Sequence, residues 1–147
     1  MKTIDIVVAG YIIKEGKILL VDHKKLNRWL PPGGHIDENE TPDDTLKREI
    51  KEELPGLEIE LLNYPEPTKF NNKKYALPVY VETHPIKKDH FHYCLFYLCK
   101  TKSCNFTYNK DELNGYKWFS SNELNEPRVS SKIRKQSLEA IELSRIL

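Results

Sequence analysis

Apolar positions in this chain fall mostly into short dense runs, and only two stretches keep a helical period. Residues 4–13 are rich in β-branched side chains, and 17–21 repeat that character after Lys14-Glu15-Gly16, so the opening reads as a β-hairpin. Residues 22–29 are polar and basic and read as a loop. Pro31-Pro32-Gly33-Gly34 then predicts an extended, turning backbone, because proline fixes φ and glycine admits positive φ. A helix is expected over 42–54: Thr41 is placed to cap it, Pro42 suits the first position, and Asp43 and Asp44 suit the positive end of the dipole. Pro55 disfavours helical geometry at Leu54 and Gly56 can take the left-handed exit, which ends it there. Residues 57–62, 76–83, 91–100 and 116–119 read as strands, the third being the most hydrophobic and aromatic. After a turn at Ser121-Asn122-Glu123-Leu124, an amphipathic helix is expected over 131–146 with Ile133, Leu138, Ile141 and Ile146 on its buried side. Strands interleaved with helices favour an α/β fold in which a mixed sheet carries helices on both faces.

Composition narrows this picture. The 147 residues, 39% hydrophobic and 31% charged, suit one domain spanning 1–147. Lys and Arg number 23 against 22 Asp and Glu, a net charge of +1, so no global field favours a nucleic-acid polymer or a membrane surface. No apolar run is long enough to span a bilayer, and a cytoplasmic location is expected. The 3 cysteines, Cys94, Cys99 and Cys104, fit reduced thiols, and on a strand Cys94 and Cys99 point to opposite faces.

The first helix carries the candidate chemistry. Glu49, Glu52 and Glu53 stand at i, i+3 and i+4 and project from one side, while Leu46, Ile50 and Leu54 form an adjoining apolar stripe. Such a helix can dock by its leucine side and hold three carboxylates at the edge of a cleft. Their mutual repulsion asks for compensation, partly from Lys47, Arg48 and Lys51 and best from a hard divalent cation such as Mg²⁺, which prefers oxygen ligands. Alone, a Glu-x-x-Glu-Glu run is the ordinary solvated face of a charged helix.

Its context is more specific. Gly34, Glu40 after five residues, and Arg48-Glu49-Ile50-Lys51-Glu52-Glu53 after seven more resemble the signature of the Nudix hydrolases. Trp29 through Gly34, the N-terminal hairpin, and Tyr116-Lys117-Trp118-Phe119 followed by Asn122-Glu123-Leu124 resemble the family's usual surroundings. The resemblance implies a Nudix-like α/β/α sandwich and a hydrolase that cleaves a phosphoanhydride bond in a small nucleotide-type substrate with Mg²⁺, or Mn²⁺ as substitute. It implies metal ligation by Glu49, Glu52, Glu53 and the main-chain carbonyl of Gly34, and carboxylate orientation by Arg48. The general base falls to Glu52 or Glu53. One departure is Leu54-Pro55-Gly56-Leu57, where Pro55 occupies the family's usual glycine position or one residue is inserted. A regulatory Nudix-like domain that binds nucleotide with weak or no turnover is the alternative.

Outside the signature, Glu40 is expected to support the loop and helix start or to be a plain exposed acid. Glu112, with Asp111 second, is the candidate for a further acidic ligand, against an ordinary surface loop acid. Arg28, Lys25 and Lys24 are candidates to hold outer phosphates, although exposed basic loop residues are common. Trp29 is expected in the core rim. His90, His92 and Cys94 share one strand face at a spacing able to bind Zn²⁺, or meet the core or the pocket instead. The segment 69–75 either closes over a ligand or is a hairpin turn. Monomer and homodimer are both open.

Overall fold

The computed structural model describes residues 1–147. The opening hairpin forms from β1 (Thr3–Lys14) and β2 (Lys17–His23), joined at Glu15 and Gly16, which take φ of 50° and 76°. Two positive-φ residues make the tight turn whose twist matches that of the strands. Two short strands follow where a loop and an extended, turning backbone are expected: β3 (Arg28–Leu30) folds back to pair antiparallel with β2, and β4 (Gly33–His35) pairs antiparallel with β1 at Val7 to Ala9. Gly33 and Gly34 serve here through the absence of a side chain. A Cβ on Gly33 would collide with the backbone of Val8 and Ala9, and one on Gly34 with the Glu49 carboxylate.

The helix α1 spans Pro42–Glu53. Its capping box is complete: Thr41 Oγ1 accepts from Asp44 N at 3.2 Å, and Asp44 Oδ2 accepts from Thr41 N at 3.2 Å. Leu54 caps the far end, and Gly56 at φ 94° carries the chain away, packed so closely on Asn105 and Phe106 that a Cβ would press on them. Pro55 leaves the helix intact and its carbonyl accepts from Thr107 N at 2.9 Å.

Next come β5 (Glu60–Leu61), β6 (Tyr80–Lys87), β7 (His90–Lys100), β8 (Leu113–Phe119), a 3-10 turn (Asn122–Asn125) and α2 (Ser131–Leu143). The strand expected over 57–62 shrinks to two residues. That expected over 76–83 begins only at Tyr80, since Pro78 has no N–H for the ladder. β6 pairs with β7 alone, and this edge position tolerates Pro85 within it. β1 and β7 run parallel at the centre, from Thr3 opposite His90 to Ile13 opposite Lys100, while β2, β4, β5, β6 and β8 pair antiparallel around them.

The mixed sheet divides the core in two. Leu46, Ile50 and Leu54 of α1 pack on Val8, Ile12, Leu19 and Cys99, while Ile133, Ala140 and Ile141 of α2 pack on Tyr11, Ile18, Leu20 and Cys94. β1, β2 and β7 are therefore buried on both faces, as their unbroken apolar runs require. Cys94 and Cys99 lie on opposite sides of the sheet and all three cysteines are free.

The second helix is phased differently from expectation. Leu138 is 38% exposed and Ile146, beyond the helix end, is 80% exposed, while Gln136, Ser137 and Ala140 are buried with Ile133 and Ile141. Steps of three and four from Ile133 reach 136, 137, 140 and 141, whereas 138 falls well round the helix. Gln136 is held there by the Tyr11 hydroxyl, which donates to its Oε1 at 2.6 Å. No helix is long and apolar enough to cross a membrane.

Candidate active site

One cleft gathers most of the chemistry. Gly33 and Gly34 of β4, Glu49 and Glu53 of α1, and Asp111 and Glu112 of the loop before β8 line one side of it. Docking of α1 by its leucine stripe sets which carboxylates face in. Glu53 is 6% exposed and its carboxylate takes one long hydrogen bond, from Gly33 N at 3.4 Å. Burial, together with the charges of Glu49 and Glu112, pushes the Glu53 carboxyl up to about 8. Burial raises Glu49 too, against the opposing pull of Arg48. Glu52 does not line the cleft: its side chain is 55% exposed at the rim, 3.3 Å from Arg48.

Arg48 organises this edge. Its Nε and Nη2 donate to both oxygens of Glu40 at 2.7 and 2.9 Å, its Nη1 to Glu49 at 2.9 Å, and its Nη2 to the His35 carbonyl at 3.0 Å. Glu40 in turn accepts from Asp37 N and Thr45 Oγ1, each at 3.0 Å. With these donors, Arg48 first among them, the Glu40 carboxyl is held down to about 2. Glu40 thus braces the loop and the helix start, and leaves the cleft to Glu49 and Glu53.

The acidic loop is tied to the end of α1. Asn109 N donates to the Glu53 carbonyl at 2.8 Å, and Asn109 O accepts from Glu112 N at 3.2 Å and Leu113 N at 2.9 Å. Glu112 O accepts from Lys24 N at 3.1 Å, which binds the basic loop to the same frame. Lys24, Lys25 and Arg28 all line the cleft, Lys24 with its ammonium on the Lys110 carbonyl. Trp29 packs edge-on against Phe119, with ring centroids 5.2 Å apart, in the core rim. None of residues 69–75 reaches the cleft; the segment is an exposed turn with Asn72 at φ 54°.

The opposite wall comes from His84, His92, Cys94, Phe96, Ser130 and Lys132, most of which sequence reasoning left aside. His84 lies opposite His92 across the β6–β7 ladder, a partnership that only the register discloses. Burial lowers the pKa of both rings. The grouping of His90, His92 and Cys94 needs correction. Cys94 is buried with its Sγ 3.5 Å from His84 Nδ1, and Asp5 of β1 takes its place beside His90 and His92. In the parallel register Asp5 is the direct partner of His92.

The model of the NUDIX domain matches residues 4–140. The chain belongs to the Nudix hydrolase family. A solved Nudix hydrolase from Clostridium perfringens is 30% identical, with a TM-score of 0.81 over 95% of this chain and 97% of that one. A MutT Nudix hydrolase from Burkholderia pseudomallei, 22% identical, shares the fold at a TM-score of 0.69 over 95% and 98% of the two chains. The 8-oxo-dGTP diphosphatase of Buchnera aphidicola is 37% identical over 81 residues, 52% of this chain and 62% of that protein, so the match spans less than two thirds of the relative. The α/β/α sandwich of this Nudix chain is that of the family.

Proposed function

We propose that the chain is a metal-dependent pyrophosphohydrolase that cleaves a phosphoanhydride bond in a small nucleoside-diphosphate-type substrate, such as a nucleoside triphosphate, a nucleotide sugar or a dinucleotide. The observation that carries this is the near-buried Glu53, set beside Glu49 and Glu112 in the cleft with a single long hydrogen bond to its carboxylate. Ionised carboxylates so placed are unstable without a cation, and a donor set made of oxygens suits Mg²⁺, with Mn²⁺ as substitute. Glu49, Glu53 and the Gly34 carbonyl would hold it, with Glu112 as the further acid and Glu52 reaching in from the rim. Bound there, the ion would neutralise phosphate oxygens and lower the pKa of an attacking water.

The chain's own residues do the rest. Arg48 fixes Glu49 through Nη1 while Glu40 fixes Arg48, so the carboxylates meet the substrate already oriented. Glu53 or Glu52 accepts the water's proton. Glu53 stands inside the cleft beside Glu49, where an attacking water would be held, and the solvent-facing Glu52 can pass a proton outward. Lys25 and Arg28 supply positive charge to the outer phosphates from the cleft wall. The narrow approach of β4 to β1, possible only with Gly33, brings backbone to the cleft floor.

The deciding experiment incubates the protein with Mg²⁺ or Mn²⁺ and a panel of nucleoside triphosphates, nucleotide sugars, dinucleoside polyphosphates and NADH, read by product mass. It includes 8-oxo-dGTP, the substrate in the name of the Buchnera relative. Cleavage of a phosphoanhydride bond that is lost in Glu53→Gln or Glu52→Gln is the expected result, and the base is the one whose variant loses turnover while its Mg²⁺ affinity, titrated separately, stays unchanged. Binding without any cleavage across the panel overturns the catalytic reading in favour of a regulatory nucleotide-binding domain.

A further inference from the structure

Four of the five histidines of this chain, His35, His84, His90 and His92, meet on one face of the sheet, and Asp5 stands beside His35, His90 and His92 there. The register explains why. Thr3 lies opposite His90 and Asp5 opposite His92 in the β1–β7 ladder, Val7 lies opposite His35 in the β1–β4 ladder, and His84 lies opposite His92 across β6. Alternate residues share a face, so Asp5, His35, His90 and His92 all project the same way.

Their spacing is that of ligands around an ion. Asp5 Oδ2 lies 3.3 Å from His90 Nε2 and 3.5 Å from His35 Nε2. Both are long for a hydrogen bond between a ring nitrogen and a carboxylate. Nitrogen and oxygen ligands about 2.0–2.1 Å from a tetrahedral ion stand about 3.3–3.4 Å from one another. One ligand atom each from Asp5, His90 and His92 falls within 4.8 Å of the others, a gap that small side-chain rotations close. The outer contacts point the same way. The Thr3 hydroxyl lies 3.3 Å from the Asp89 carbonyl, to which it can donate, and 2.8 Å from His90 Nδ1. In the tautomer where Nδ1 donates to Thr3 Oγ1, the Nε2 lone pair faces Asp5, and a cation between the two would satisfy both.

We propose that Asp5, His90 and His92 form a second metal site, selective for a late first-row divalent ion of the Zn²⁺ class and separate from the all-oxygen glutamate site. Imidazole nitrogen favours such ions over Mg²⁺, and three protein ligands leave a position open for water or for His35, whose exposed ring stands beside the same carboxylate oxygen. Because His92 also lines the cleft, the ion sits at the cleft's edge. The site stands or falls independently of the hydrolase reading.

The test uses the untagged, chelator-stripped 147-residue chain titrated with Co²⁺ in excess Mg²⁺, followed by visible absorption and by competition with Zn²⁺. Expected are the intense ligand-field bands of low-coordinate Co²⁺ at one equivalent, bleached by Zn²⁺, kept in the Glu49→Gln/Glu53→Gln double variant and lost in both His90→Ala and Asp5→Asn. Loss of an outer-shell partner alone weakens metal binding by about 10–100-fold, so loss of a ligand should weaken Zn²⁺ binding by at least about 100-fold. Asp5→Asn, a near-isosteric change at a half-exposed side chain, guards against misfolding as the cause. Any other pattern, including no bands in the unaltered protein or bands that vanish with the glutamates, overturns the proposal.

Discussion

Glu53 is a carboxylate kept where its charge is disfavoured, and this has a measurable sign. In the cation-free folded protein its carboxyl is raised from the usual value of 4.5 to about 8, by burial first and then by the charge of Glu49. Across that window the folded state holds a proton that the unfolded chain has released, so stability falls as pH rises from 4.5 to about 8. Thermal melts in chelator should show this decline, and Glu53→Gln should flatten it and raise Tm at pH 8; a slope unchanged by the substitution would refute the account. Arg48 makes a second case. Arg48→Ala leaves Glu40 without its bidentate partner and Glu49 free to rotate, and a loss of about 10–100-fold in kcat or in metal affinity is expected from steady-state rates against metal concentration. Much at this scale was legible: the i, i+3, i+4 spacing placed three glutamates on one side of a helix, and Arg48 and Glu40 stood in register with them. The roll of the helix on the sheet was not, and it sends Glu49 and Glu53 inward while Glu52 stays at the rim.

At the scale of elements, α1 is held by its leucine stripe. Leu46 and Ile50 are essentially inaccessible between the helix and β1, so Leu46→Ala should destabilise by about 2–5 kcal/mol in denaturant unfolding and loosen the glutamates that the helix carries. Gly33→Ala should cost about 1–3 kcal/mol, because the added methyl meets Val8 and Ala9 backbone that cannot yield cheaply. The capping signals at Thr41, Pro42 and Asp44 were readable because they act within one turn. The phase of α2 was not, because Gln136 is buried by a hydrogen bond from Tyr11, far away in sequence, which no local hydrophobic pattern encodes. The extended backbone after Pro31 is legible from its prolines and glycines, but that β3 and β4 are strands lies in the partners they meet.

At the scale of the molecule, the cleft is assembled from separate stretches of chain: β4, α1 and the loop before β8. A cation bound across them would stabilise the fold as a whole. At about 100 times its dissociation constant, Mg²⁺ should add about 2.7 kcal/mol, read as a rise in Tm that disappears in Glu49→Gln/Glu53→Gln. Overall architecture follows from alternating strand and helix signals, and His90 with His92 is legible as one strand face, whereas Asp5, His35 and His84 join that pair only through the register of three ladders.

The central parallel pair has a kinetic consequence. Thr3 meets His90, so the sheet closes only after the chain has been synthesised past His90, and the loop-closure entropy of joining such distant segments falls on the folding barrier. During translation β1 would wait with one edge unsatisfied until β7 emerges from the ribosome, and an unpaired strand edge in that interval exposes the nascent chain to aggregation.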